Sequence, residues 1–213
     1  MISTNNNLKG IHLFAPIIQL GFLEQNNALK EKYVPLILNN YRKDPTQSPD
    51  WNVHTSYNQE HLQENKLNWN DFIGEYTPYI ETSINAYFKE ATTWDIVGTP
   101  WYNVYGSGQS ASQHSHSPDQ FSFVHFLQYD SKVHNPLTFV NPQLNMIKYL
   151  HGVHPILRDG INEYEELTTF KEEYSPEISE GSIIIFPSYL EHYVRQSITN
   201  QLRITVAFNF NIK

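Results

Sequence analysis

Three histidines are the first residues of this chain whose type and spacing could do chemistry. His114 and His116 stand one residue apart in Gln113-His114-Ser115-His116-Ser117-Pro118-Asp119, and His192 follows much later, past a run ending in Phe186-Pro187. Neutral imidazole is a good metal ligand. On an extended strand, residues i and i+2 project to the same side, so His114 and His116 can address one ion while His192 approaches from another strand. Asp119 is the rival second ligand, and it reaches the same ion only if the strand breaks into a turn around Pro118. Strand direction favours His116. A His-x-His pair alone is a weak signal; its weight comes from combination with His192 and with Arg203-Ile204-Thr205, whose arginine stands eleven residues beyond that histidine.

These residues need a scaffold, and the chain is long enough to build one. It has 213 residues, 39% hydrophobic and 14% aromatic, which supports a substantial core. Its 14 basic and 22 acidic side chains give a formal charge of −8, which repels phosphate backbones, and with no Lys/Arg run no nucleic-acid partner is expected. Cysteine is absent, which excludes disulfides, thiolate metal sites and a thiol nucleophile, and fits a reducing cytoplasm. Met1 to Asn7 lacks the charged and apolar regions of a secretion signal, and no stretch approaches the length of a membrane span. A cytoplasmic protein without a membrane partner is therefore expected.

One domain in two unlike parts is expected over residues 1–213. Residues 1–94 read as a mostly helical supporting part. Leu29, Tyr33, Leu36 and Ile37 recur at helical spacing within about residues 23–41, and Lys43-Asp44-Pro45 should end that helix. Phe72, Tyr76, Ile80, Ile84, Tyr87 and Phe88 form a second helical stripe. Both stripes read as core packing, and Trp51 to Tyr57 reads as a short extended piece. Residues 95–213 switch to short runs bounded by Gly, Pro, Asn and Asp, with strands expected at 101–105, 111–116, 120–129, 137–140, 182–186, 193–196 and 203–211. The fold class expected is α+β, mainly β: a jelly roll with amino-terminal supporting helices.

The motif set of this second part resembles the Fe(II)- and 2-oxoglutarate-dependent oxygenases of the double-stranded β-helix (cupin-like) type, including a microbial and phage group. Members carry a His-x-His-Pro-like motif before an apolar strand, here His114-Ser115-His116-Ser117-Pro118 and Phe121 to Leu127. Their later segment matches Gly181, Ile183 to Ile185, Phe186-Pro187, His192, Arg203-Ile204-Thr205 and Phe208-Asn209. The resemblance implies Fe(II) as cofactor, held by His114 and His192 with His116 or Asp119. It also implies 2-oxoglutarate as co-substrate, its C5 carboxylate paired with Arg203 and Thr205, and Tyr105 lining that pocket. Hydroxylation of a small-molecule or protein side-chain substrate by O₂, with release of succinate and CO₂, follows from the same resemblance, and a homo-oligomer is compatible with it. Two departures stand out: most relatives have a carboxylate at the position of His116, and Phe126 replaces a tyrosine that in some relatives hydrogen-bonds the co-substrate.

The remaining candidates have plainer readings. His125 is out of step with Val124 and Phe126 and reads as structural; His134, His151 and His154 read as loop residues, with His151-Gly152-Val153-His154-Pro155 able to shape an entrance. The acidic residues around Glu163 to Glu166 read as a solvated face, and Trp51 and Trp101 as core. Two alternatives stay open: a three-histidine metal dioxygenase that uses no 2-oxo acid, and a non-catalytic jelly roll serving as a binding or structural module. Arg203 and Thr205 argue against the first, which leaves an inward-facing arginine without an anion.

Overall fold

Alternation of apolar residues places the strands of the second half, and the two helical stripes place the helices that cover them. The computed structural model describes residues 16–43, 51–57, 67–88, 93–153 and 171–213; Pro45, His154 and Glu163 to Glu166 lie outside the described residues. The first part holds β1 (Gln19–Phe22), α1 (Asn26–Lys43), β2 (His54–Thr55) and α2 (Trp69–Tyr87). The second holds β3 (Trp94–Tyr105), β4 (Ala111–His114), β5 (Phe121–Gln128), β6 (Leu137–Val140) and α3 (Leu144–Val153), then β7 (Glu173–Tyr174), β8 (Ser182–Pro187), β9 (His192–Val194) and β10 (Arg203–Ile212). Antiparallel pairing gives a six-stranded sheet in the order β1-β8-β5-β10-β3-β2 and a four-stranded sheet in the order β4-β9-β6-β7.

The central strands β8, β5 and β10 of the six-stranded sheet are buried on both faces, which explains why β5 and β10 lack polar alternation. Toward the helices point Phe123, His125 and Phe208, which meet Tyr76 of α2; Tyr76 lies 4.5 Å from Phe123 and stacks at 5.8 Å on Phe208. Tyr33 of α1 closes on Phe72 of α2 at 4.5 Å. Leu36 and Phe88 are exposed, whereas Leu29, Tyr33 and Ile37 of the first stripe and Phe72, Tyr76, Ile80 and Ile84 of the second are core. Burial of each such side chain stabilises by about 1.5–3 kcal/mol. The opposite face of β5 and β10 presents Ser122, Phe126, Arg203 and Asn209 to the interior, where Phe186 of β8 meets Phe139 of β6 at 5.0 Å.

Several expectations change in detail. β1 joins the edge of the large sheet by pairing with β8, so the first part supplies a strand as well as helices. His151 lies in α3 and not in a loop. β4 ends at His114, which leaves His116 beyond the strand. Among the described residues, no helix is long and apolar enough to cross a membrane.

Candidate metal and co-substrate site

Strand pairing brings the three histidines together. β4 and β9 are neighbours in the small sheet, with His114 opposite His192, and their rings lie 4.3 Å apart. His116 arrives by a different route from the i, i+2 geometry of a strand. The chain leaves β4, the His116 N–H donates to the Ser188 carbonyl at 2.8 Å, and the Asp119 N–H donates to the His116 carbonyl at 3.1 Å. That turn sets the His116 ring 5.1 Å from His114 and 5.0 Å from His192. One ring nitrogen from each of the three lies within 4.8 Å of the others.

Hydrogen bonds fix which nitrogen each ring offers. His114 Nδ1 lies 2.7 Å from the Ser112 carbonyl and His192 Nδ1 3.0 Å from the Leu190 carbonyl. A carbonyl only accepts, so both Nδ1 atoms carry the proton and the Nε2 lone pairs are left for a metal. His116 follows the same rule through side chains. Its Nδ1 lies 2.8 Å from Asn209 Oδ1, while Asn209 Nδ2 donates to Asp119 Oδ2 at 2.7 Å. The Asp119 carboxylate thus orients the Asn209 amide so that its oxygen faces the imidazole. Ser122 Oγ, 2.9 Å from Asn209 Oδ1 and 2.8 Å from Ser188 Oγ, closes the network. Burial lowers the pKa of His114 to about 4 and holds His116 low as well; His192 is held well below its ordinary value, by burial and then by its two histidine neighbours. Three neutral imidazoles with converging lone pairs fit a divalent metal ion of the iron type.

The second half of the site is a buried cation. Arg203 opens β10 opposite Tyr105 at the end of β3, and Thr205 stands opposite Asn103. The guanidinium is packed 4.5 Å from the centre of the Tyr105 ring and 5.2 Å from that of Phe126. Arg203 is 3% exposed, and its Nε and Nη1 atoms have no hydrogen-bond partner. Burial lowers its pKa, opposed by Tyr105, yet a guanidinium stays charged. A buried charge with idle donors is costly unless an anion meets it. A planar fork suits a carboxylate, which can accept two N–H groups at once. The dicarboxylate 2-oxoglutarate fits that need.

A cleft of about 300 Å³ runs beside the histidines, lined among others by Trp51, Tyr57, Trp101, Tyr105, Asp119 and Asn209. Trp51 stands edge-on to His114 at 4.3 Å, and Trp101 lies 5.7 Å from His116. The two tryptophans are thus walls of the site and not only core. No local signal marks them, because each reaches the histidines through pairing with distant strands. His125 turns away from the cleft and bonds Tyr76 and Asn26 beneath the helices. His134 caps a turn, accepting from the Asp130 N–H at 2.9 Å. Phe126 offers no hydroxyl, and the nearby Tyr129 hydroxyl is turned to the His134 carbonyl.

Comparison with known proteins agrees with this architecture. Residues 99–209, more than half of the chain, match the family described as "Putative 2OG-Fe(II) oxygenase". The chain belongs to that family. It is an Fe(II)- and 2-oxoglutarate-dependent oxygenase with the double-stranded β-helix fold. Among solved structures, this oxygenase is similar to the carbocyclase SnoK of nogalamycin biosynthesis, described as non-heme and alpha-ketoglutarate dependent, at a TM-score of 0.60 and 8% identity over 91% of this chain and 78% of that one. It is also similar to HygX from Streptomyces hygroscopicus, solved with nickel and 2-oxoglutarate, at 0.57 and 8% over 91% and 82%. A prolyl-4-hydroxylase from Pseudomonas putida gives 0.53 and 10% over 91% and 92%. No curated protein matches the sequence.

Proposed function

We propose that this oxygenase is a hydroxylase that holds Fe(II) through Nε2 of His114, His116 and His192 and anchors 2-oxoglutarate at Arg203. When bound, that pair supplies the oxidative decarboxylation to succinate and CO₂ that delivers one oxygen atom of O₂ to a substrate C–H bond. The residues of the chain do the rest. Asn209, itself held by Asp119, orients the His116 ring, and backbone carbonyls orient the other two. Three neutral ligands leave the full metal charge in place, which favours a dianionic co-substrate. Arg203 receives the far carboxylate, with Thr205 beside it on β10 and Tyr105 as the wall beneath the guanidinium. Aromatic side chains around the cleft exclude water from the reacting centre. The substrate is an organic molecule or a protein side chain, and residues 1–94 and 95–213 act as one domain.

The observation that carries this reading is the pair of unpartnered donors on buried Arg203 beside three convergent imidazoles. A three-histidine dioxygenase that uses no 2-oxo acid would leave that cation uncompensated. Iron retention after purification tests the ligand set. His192→Ala and His116→Ala should each lose iron and Asp119→Asn should keep it; loss in Asp119→Asn with retention in His116→Ala would assign the second position to the carboxylate.

A further inference from the structure

The cleft beside the histidines carries one sign of charge. Asp119 is its one carboxylate among the described lining residues, and no Lys or Arg lines it. Asn209 donates to Asp119 Oδ2 and is neutral, so it orients the carboxylate without cancelling its charge. No Lys or Arg among the described residues forms an ion pair with Asp119. Trp51, Tyr57 and Trp101 line the same cleft as this charge. Trp101 packs at 5.7 Å from His116 and at 5.0 Å from Tyr57, which is half exposed at the rim, and Trp51 flanks His114.

Aromatic rings and a carboxylate are complementary to a cation with an apolar stem. We propose that the substrate group this cleft takes is an organic cation, an alkylammonium or guanidinium, paired with Asp119 and with its alkyl stem against Trp51, Tyr57 and Trp101. The proposal rests on the oxygenase reading and adds the substrate class to it. An anionic substrate would meet Asp119 with no compensating side-chain cation, because no Lys or Arg, Arg203 included, lines the cleft and the dianionic co-substrate would balance the metal charge. A wholly apolar substrate would strip water from the carboxylate and give nothing back. The volume, about 300 Å³, suits one side chain or a small amine. The net charge of −8 adds a long-range attraction for cations.

Titration calorimetry on the full chain tests this with two pairs of probes: n-butylammonium against 1-butanol, and N-acetyl-lysine N-methylamide against its norleucine isostere. Each cation should bind about tenfold tighter than its neutral partner. Asp119→Asn, which keeps an oxygen for Asn209 to donate to, should abolish that advantage. The tighter of the two cations tells a free amine from a residue in a polypeptide. Equal binding of cation and isostere, an advantage that survives Asp119→Asn, or no heat from either cation would overturn the proposal. The charge-transfer absorption of Fe(II) with 2-oxoglutarate, recorded separately, decides the oxygenase reading, so the two can fail independently.

Discussion

Replacing Arg203 with Met should stabilise the ligand-free protein while removing its response to 2-oxoglutarate. The guanidinium is 3% exposed with two donor atoms idle, and each buried unsatisfied donor costs about 1–3 kcal/mol. Methionine removes that cost and fills a similar volume with a flexible apolar chain. The variant forfeits the cation–π contact with Tyr105, about 2 kcal/mol when desolvated. It also forfeits the longer cation–π contact with Phe126, about 1 kcal/mol. The balance is a gain of about 1 kcal/mol, which raises the unfolding midpoint of a chain of this length by roughly 2–4 °C. The wild type loaded with redox-inert Ni(II) should gain about 2.7 kcal/mol from 2-oxoglutarate at a hundred times its Kd, and Arg203→Met should gain almost nothing. Thermal unfolding with and without co-substrate reads both effects. A lower midpoint in the ligand-free variant together with a retained 2-oxoglutarate shift would refute the reasoning.

Two further outcomes follow from hydrogen bonds. Asn209→Ala removes the acceptor that orients His116 and the donor that holds Asp119, so metal affinity should fall roughly 10–100-fold in competitive chelator titrations; unchanged affinity would mean that the backbone turn alone sets the ring. His125 is held neutral by burial, with its pKa lowered to about 3 from 6.5, its Nε2–H donating to Asn26 Oδ1 and its Nδ1 accepting from the Tyr76 hydroxyl. The unfolded chain binds a proton below pH 6.5 and the folded chain does not, so this contribution is fully present above pH 6.5 and is lost as pH falls toward 3, at about 1.4 kcal/mol per pH unit. Urea unfolding from pH 6.5 to 4.5 should show that slope flattened in His125→Leu, whereas parallel profiles would contradict it.

Much of the fold was legible because both halves follow simple periods. The stripe from Phe72 to Ile84 is the face of α2 that covers the large sheet, and the run Leu137–Val140 is β6. β1 escaped notice because four residues with half-exposed alternation gain their meaning only from β8, far along the chain. The site was legible as a set of residue types and less so as geometry. His114 and His192 meet across a strand pair, but His116 joins them through a turn held by Ser188 and Asn209, and these contacts have no local pattern. Trp51 and Trp101 read as core because large aromatic residues usually are, and both do pack on the core; that they also flank the histidines follows from contacts between distant segments.

The most direct test of the central claim is anaerobic titration of the Fe(II)-loaded protein with 2-oxoglutarate, followed in the visible. The three-histidine site with Arg203 as anchor predicts a weak metal-to-ligand charge-transfer band that saturates in the wild type, weakens in Arg203→Ala and is absent in His192→Ala. Bound iron that develops no band at any 2-oxoglutarate concentration would contradict it.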